Sequence, residues 1–181
     1  MPEASRTPLA FRPATDSDAD LSALVGLYDA AARWMAERGI DQWKPGQKDA
    51  AHFRTRLKEG EVWLAVRGEV LVGAWELWWE DVEAWGVRAP DAGYVHRLMT
   101  ARDAPPGTGR ALLAEAERRI AARGRPLARL DCVTSNPRLR TYYEAAGYEV
   151  AGALPGKVAA DGSTYGVTLL QKRLGASRKS P

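Results

Sequence analysis

Gly107 and Gly109, followed by Arg110 and Ala111, lie in the stretch APPGTGRALL between an extended apolar segment and a helical one. The extended segment runs from Tyr94 to Met99, and the helical one places Leu112, Leu113, Ala116 and Ile120 on one face. A strand, a Gly-x-Gly turn and a helix start together form an anion site, because the first backbone N–H groups of a helix lack internal acceptors and the helix dipole adds positive charge. Glycine lets the backbone approach a bulky phosphate closely. Arg102 and Arg110 add formal charge. The chemistry implied is a cradle for a pyrophosphate. Two nucleotide signatures do not fit: Arg110 and Ala111 stand where a Walker loop needs Lys and Ser/Thr, and Leu112 stands where a dinucleotide fingerprint needs a third glycine.

A second motif follows at SNPRLRTYYEAAGY, residues 135–148. Asn136 opens a helical run, Tyr142 and Tyr143 come two turns later, and Gly147 with Tyr148 closes it. With the cradle, this order and spacing resembles the GNAT superfamily of acyl-CoA-dependent N-acyltransferases over about residues 8–172. The resemblance implies that Gly107, Thr108, Gly109, Arg110 and Ala111 hold the pyrophosphate of coenzyme A. It implies that Leu98, Met99 and Thr100 pair their backbone with the pantetheine arm, and that Asn136 and Tyr143 also contact the cofactor. Ala104 replaces the usual Gln or Arg of the family loop, and Pro105 and Pro106 remove backbone donors. The cradle is therefore expected to lean on Arg102 and Arg110.

Acyl transfer to an amine needs a proton acceptor, donors for a developing oxyanion, and a proton for the departing thiolate. A backbone N–H near Leu98 or Met99 meets the second need if the strand is bulged there. Tyr143 suits the third, since a phenol of reference pKa about 10 stays protonated at neutral pH. Tyr142 serves as its control, because adjacent helical side chains diverge by about 100°. For the acceptor of the proton, His96 on the strand feeding the cradle is favoured by its pKa range. Glu76, Asp131 and a water relay are the alternatives. The other histidine, His52, is placed on a surface helix. The amine itself is expected near Trp34, Asp41, Gln42, Trp43, Trp75 and Trp78, with Asp41 or Glu76 holding an ammonium group and tryptophan faces adding cation–π attraction. The resulting expectation is an acetyl-CoA-dependent N-acetyltransferase acting by direct attack in a ternary complex on a small-molecule amine or a peptide N-terminus. A non-catalytic acyl-CoA-binding or protein-interaction module is the alternative that Ala104 and the two prolines motivate.

The composition fits this class. With 181 residues, 45% hydrophobic and 27% charged, the chain supports one domain with a real core. A net charge of +3, with acids and bases mixed, argues against a nucleic-acid binder. The single cysteine, Cys132, precludes an internal disulfide and fits a reducing compartment. No apolar run approaches the ~20 residues that span a bilayer, and MPEASRTPLAF does not read as a signal peptide. A cytoplasmic protein with no membrane partner is expected. No metal-ligand cluster is apparent. Seven tryptophans suit a core, a substrate wall or a homodimer face.

The elements that must position these groups follow from periodicity and punctuation. Leu9–Arg12 reads as a strand. Thr15 and Asp18 read as a capping box before a helix carrying Leu21, Leu24, Val25, Tyr28, Ala32 and Met35, ended by Gly39. A second helix covers 49–58. Residues 62–66 and 70–79 read as a hairpin, 81–92 as a loop, and 94–100 as the strand before the cradle. The cradle helix ends near Arg123, a strand covers 128–133, and a helix runs from Asn136 to Gly147. Residues 148–151 and 164–170 read as the last strands. The fold class expected is α/β (α+β): a mixed, mostly antiparallel central sheet of about six to seven strands, helices on both faces, and one parallel strand–helix–strand crossover. The expected single domain covers 8–172, with 1–7 and 173–181 as flexible termini.

Overall fold

The structure is a computed structural model and describes residues 7–159 and 161–175. Seven strands form one sheet: β1 (Leu9–Pro13), β2 (Glu61–Arg67), β3 (Val70–Trp78), β4 (Ala92–Thr100), β5 (Leu127–Val133), β6 (Glu149–Val158) and β7 (Thr164–Arg173), in the order β1-β2-β3-β4-β5-β7-β6. The pairs β1–β2, β2–β3, β5–β7 and β6–β7 are antiparallel, and β4–β5 is parallel. The helices are α1 (Asp18–Glu37), α2 (Ala50–Glu59), α3 (Val82–Trp85), α4 (Thr108–Ala122) and α5 (Pro137–Ala145). The expected mixed sheet and its single parallel crossover, β4–α4–β5, are present. The chain divides into two compact units. The first runs from β1 to Leu77 and adds Arg97–Ala114; the second has Trp78–His96 and the residues from Glu115 onward. The divisions fall inside β3, β4 and α4.

In the first unit, α1 buries Leu21, Leu24, Tyr28 and Ala32, as helical spacing predicts, together with Leu27 and Ala31, while Val25 and Met35 are only half-buried. Its N-cap is Ser17, whose hydroxyl accepts from Asp20 N–H at 3.2 Å. The expected capping residue, Thr15, instead donates its hydroxyl to the buried Asp20 carboxylate at 2.8 Å. Arg12 meets the same carboxylate at 2.7 and 2.9 Å, which tethers β1 to the helix start and holds Asp20 well below the usual carboxylate range. Phe53 of α2, Val62 and Leu64 of β2, Ala74 of β3 and Met99 of β4 complete the core of this unit. Gly73 has no room for a side chain: an added Cβ would lie 2.6 Å from Leu112 of α4 and 2.7 Å from the Met99 carbonyl. The start of α4 therefore rests directly on β3.

In the second unit, Trp85, Tyr94, Leu127, Val167 and Leu169 form the core. Here Gly93 plays the role of Gly73, since a Cβ would collide with Ile120 of α4. The loop expected at 81–92 contains α3, whose first turn is capped by Asp81 accepting from Ala84 N–H at 3.1 Å. Strands β6 and β7 exceed their expected lengths. Two register shifts, at Val150/Gly152 and Leu154/Lys157, break the alternation of β6 while its pairing with β7 continues to Val158. At the other end Arg173 pairs with Leu127 and Leu174 N–H reaches Pro126, so order extends past the expected limit of 172. The expected terminal segments 1–6 and 176–181 lie outside the described residues.

Candidate active site

The turn between β4 and α4 forms where the spacing of its glycines implies. After β4 the chain turns through Ala104 N–H to Ala101 O at 3.1 Å and Thr108 N–H to Pro105 O at 3.2 Å. Gly107 has φ of 86°, a conformation that favours glycine, and α4 begins at Thr108. The Ala111 N–H closes on Gly107 O at 3.1 Å. Gly109 is the second residue of α4, at the positive end of the dipole, where the first amides of a helix have no acceptor within the helix itself. The Thr108 hydroxyl is committed inward, donating to Pro105 O at 2.6 Å, and Thr108 is buried. Gly107 is exposed, and an added Cβ there would meet nothing within 4 Å, so the approach to these amides is open. The donors and their charge fit a diphosphate, with fewer backbone donors than a loop without Pro105 and Pro106 would offer.

Arg102 is already engaged. Its Nη2 donates to Thr100 O at 2.7 Å, and its guanidinium lies 5.0 Å from the Trp34 ring, which Arg38 also covers at 4.3 Å. Trp34, expected in the acceptor wall, is a shelf for two cations. Arg110 is exposed at the helix start.

The strand feeding the cradle is kinked. Arg97 has φ of 45°, the only positive value at a non-glycine among the described residues. That conformation costs on the order of 1–3 kcal/mol and persists where surrounding contacts over-determine it. Those contacts are explicit. Arg97 Nη1 donates to Glu76 Oε1 at 2.8 Å and to His52 Nε2 at 2.6 Å, while Arg56 grips Glu76 Oε2 through Nε and Nη2 at 2.8 and 2.7 Å. Leu98, Met99 and Thr100 follow directly, with Met99 buried in the core and the other two half-buried.

This arrangement corrects two expectations. Glu76 is 2% exposed and both its oxygens are held by arginines, so it neither receives an ammonium group nor acts as a base. His52 is no surface bystander: it is half-buried, and burial, with the charges of Arg97 and Lys48, pulls its pKa down to about 4. Around this cluster Tyr28 stacks on Trp43 at 5.1 Å, and Tyr28 OH donates to Gln47 at 3.1 Å. Asp41 is exposed on the preceding loop. Trp75 is fully buried between Phe11 and Trp63 and belongs to the core.

In the second unit, His96 Nε2 lies 3.2 Å from Asp81 Oδ2, and the imidazole meets Trp78 edge-on at 5.8 Å. Burial would raise the Asp81 pKa, but His96 and the Ala84 N–H outweigh it and hold the carboxyl below its usual range. Trp78, expected near the amine, packs against His96 and the core of this unit. The parallel β4–β5 pairing covers Ala92, Gly93 and Tyr94. Asp131, the alternative base, is ion-paired with Lys157 at 2.7 Å. Asn136 occupies the N-cap of α5 without a side-chain cap bond. Tyr143 lies edge-on to Tyr148 at 5.9 Å and to Tyr142 at 5.2 Å, and burial raises its pKa, so its phenol keeps its proton.

The sequence does not single out Asp81, and it marks Glu76 and His52 without showing that Arg97 joins them. Asp81 carried a usable signal, an acid three residues ahead of Ala84 at a helix start. The cluster did not, because its members are scattered over β3, β4 and α2.

Among the described residues no group could hold a metal ion, and no helix is long and apolar enough to cross a membrane. Residues 27–148 match the family described as Acetyltransferase (GNAT) family. The chain is 31% identical over 145 residues to the N-acetyltransferase YesJ of Bacillus subtilis (strain 168), itself uncharacterised, covering 74% of this chain and 79% of that one. A GNAT-family acetyltransferase from Listeria monocytogenes 4b F2365 superposes with a TM-score of 0.72 at 27% identity, over 92% of this chain and 95% of that one. The fold also matches yncA of Salmonella typhimurium, solved with its cofactor acetyl-CoA, with a TM-score of 0.64 at 17% identity over 96% and 98% of the two chains. The chain with this cradle and this sheet belongs to the GNAT family of acetyltransferases, enzymes whose acyl donor is acetyl-CoA.

Proposed function

We propose that this protein transfers an acetyl group from acetyl-CoA to a primary amine of a small molecule or a peptide N-terminus, by direct attack in a ternary complex. The observation that carries this reading is the His96–Asp81 pair, a base and its orienting carboxylate on and beside the strand that leads into an anion cradle. Acetyl-CoA supplies the activated acetyl group. Gly107, Thr108, Gly109, Arg110 and Ala111 shape the site for its pyrophosphate. The Thr108 and Ala111 amides are spent on Pro105 and Gly107, so the Gly109 amide and the helix dipole carry the attraction. Asn136 has a side-chain amide not spent on capping. The backbone of Leu98, Met99 and Thr100 aligns the pantetheine arm. Asp81 favours the His96 tautomer protonated on Nε2, leaving Nδ1 to take the proton of the amine. The kink at Arg97 turns the strand, so that the following N–H of Leu98 is a donor for an oxygen that gains charge. Tyr143 keeps a proton to offer to sulfur. Trp43 supplies an apolar wall for the acceptor.

The test combines thermal shift with acetyl-CoA, coenzyme A, ATP and NAD, and release of free thiol with an amine panel. Stabilisation by the coenzyme A species alone, with thiol release lost in His96→Ala and Tyr143→Phe, is the expected result. Stabilisation by ATP or NAD in their place would overturn it. The commitment of the Thr108 hydroxyl to Pro105 and the loss of two loop donors favour one second reading, a non-catalytic acyl-CoA binder. Stabilisation by acetyl-CoA without thiol release from any amine would select that reading.

A further inference from the structure

Polar side chains from two other elements grip Arg97. Glu76 of β3 accepts from its Nη1 at 2.8 Å, and His52 Nε2 of α2 lies 2.6 Å from the same nitrogen. The rings of Phe53 and Tyr28 stand 5.5 and 5.9 Å from its guanidinium carbon. Arg56, one turn beyond His52 on α2, binds the second oxygen of Glu76 at 2.7 Å. The backbone is fixed again just downstream. Ala101 N–H donates to Val72 O at 2.9 Å, and the Met99 carbonyl fills the space beside Gly73. Between the gripped side chain and that anchor, residue 97 has φ of 45°, whereas a regular strand has φ of about −140°. A residue with a β-carbon leaves this conformation unless its surroundings hold it. The angle also sets the direction of the next peptide group, whose N–H belongs to Leu98.

We infer that α2 sets the oxyanion donor from a distance: His52 and Arg56, acting through Arg97 and Glu76, hold the kink that aims the Leu98 N–H at the oxygen that gains charge. These four are positioning residues, and they act on the reaction only through the backbone of β4. The inference rests on the acetyltransferase reading and adds the residues on which its Leu98 donor depends. A donor misplaced by about 1 Å forfeits much of its attraction for transition-state charge while both substrates still bind. Damage to the grip is therefore read in kcat more than in KM. Ion pairs that only held the fold together would be read in stability alone.

The experiment uses the full chain, acetyl-CoA, and a panel of amino acids, polyamines and an N-terminal hexapeptide as amines. Arg97→Gly and Arg97→Ala both remove the guanidinium and leave Glu76 and Arg56 alike, but only glycine takes a positive φ at no steric cost. Arg97→Gly is expected to melt above Arg97→Ala, the reverse of the order in a regular strand. It is also expected to exceed Arg97→Ala in kcat by at least about tenfold, with KM for acetyl-CoA within about twofold. Arg56→Met, which leaves Glu76 paired with Arg97, tests the reach of α2. It is expected to lower kcat by about tenfold in the parent chain and by less than about twofold in the Arg97→Gly chain, where the kink needs no grip. The melting temperature of each variant shows that it is folded at the assay temperature. Equal kcat for the glycine and alanine variants, a higher melting temperature for alanine, or the same loss from Arg56→Met in both chains would overturn the inference. Any of these with thiol release intact in the parent protein leaves the acetyltransferase standing and removes only the positioning role. A parent protein that releases thiol with no amine removes both, even where glycine melts above alanine.

Discussion

Arg97 Nη1 lies 2.6 Å from His52 Nε2. An arginine is a permanent donor, so the imidazole presents its lone pair and carries its own proton on Nδ1. The pair joins α2 to the kink of β4, and it makes His52 resist protonation.

A pH dependence of stability follows. The pKa of His52 falls from 6.5 to about 4 in the folded chain. Between those values the unfolded chain binds a proton that the folded chain refuses, so stability falls as pH falls through that window. His52→Gln keeps an acceptor for Arg97 and removes the titration. Melting temperatures from pH 7 to pH 4 are expected to decline less steeply in His52→Gln than in the parent protein.

Glu76→Gln removes the carboxylate that two arginines share. Losing this charge is expected to cost about 3 kcal/mol, the lower part of the range for broken buried pairs, because both guanidinium groups retain some solvent and Arg56 keeps its longer contact with Glu59 at 3.8 Å. Urea unfolding measures it, and a change below about 1 kcal/mol would contradict the anchoring role of Glu76.

Gly73→Ala places a methyl group against Leu112 and against the Met99 carbonyl, and the carbonyl cannot step aside as a side chain can. A destabilisation of about 1–3 kcal/mol is expected. Because the same contact seats the start of α4, the thermal shift produced by acetyl-CoA is expected to shrink as well.

Asp81→Asn keeps the size of the side chain and removes its charge. If Asp81 orients His96, kcat is expected to fall by roughly 10²–10⁴, the usual worth of a general base, with KM for acetyl-CoA little changed. The pH–rate profile should also lose or shift its acidic limb. A parallel rise in KM with constant kcat would point to a structural role.

The fold was largely legible because its punctuation is strong. Gly68, Gly124 and Gly147 all adopt positive φ where the sequence signals a turn or a helix end, and the buried face of α1 follows its spacing. Strand β6 is longer than its sequence predicts because its two register shifts break the alternation on which strand recognition depends. The cradle was legible as a local motif. The surroundings of Glu76 were not: two arginines from other elements decide its role, and no spacing along the chain records that they meet. Asp81 is legible as the cap of a short helix, but its contact with His96 is not, since that depends on how the segment after β3 turns back within the second unit.

The Thr108 hydroxyl closes on Pro105 just after a pair of prolines. A bend locked in this way has little freedom left to surrender when a ligand arrives. What it lacks in hydrogen-bond donors is offset by preorganisation, and calorimetric titration should find coenzyme A captured there with only a modest entropic penalty.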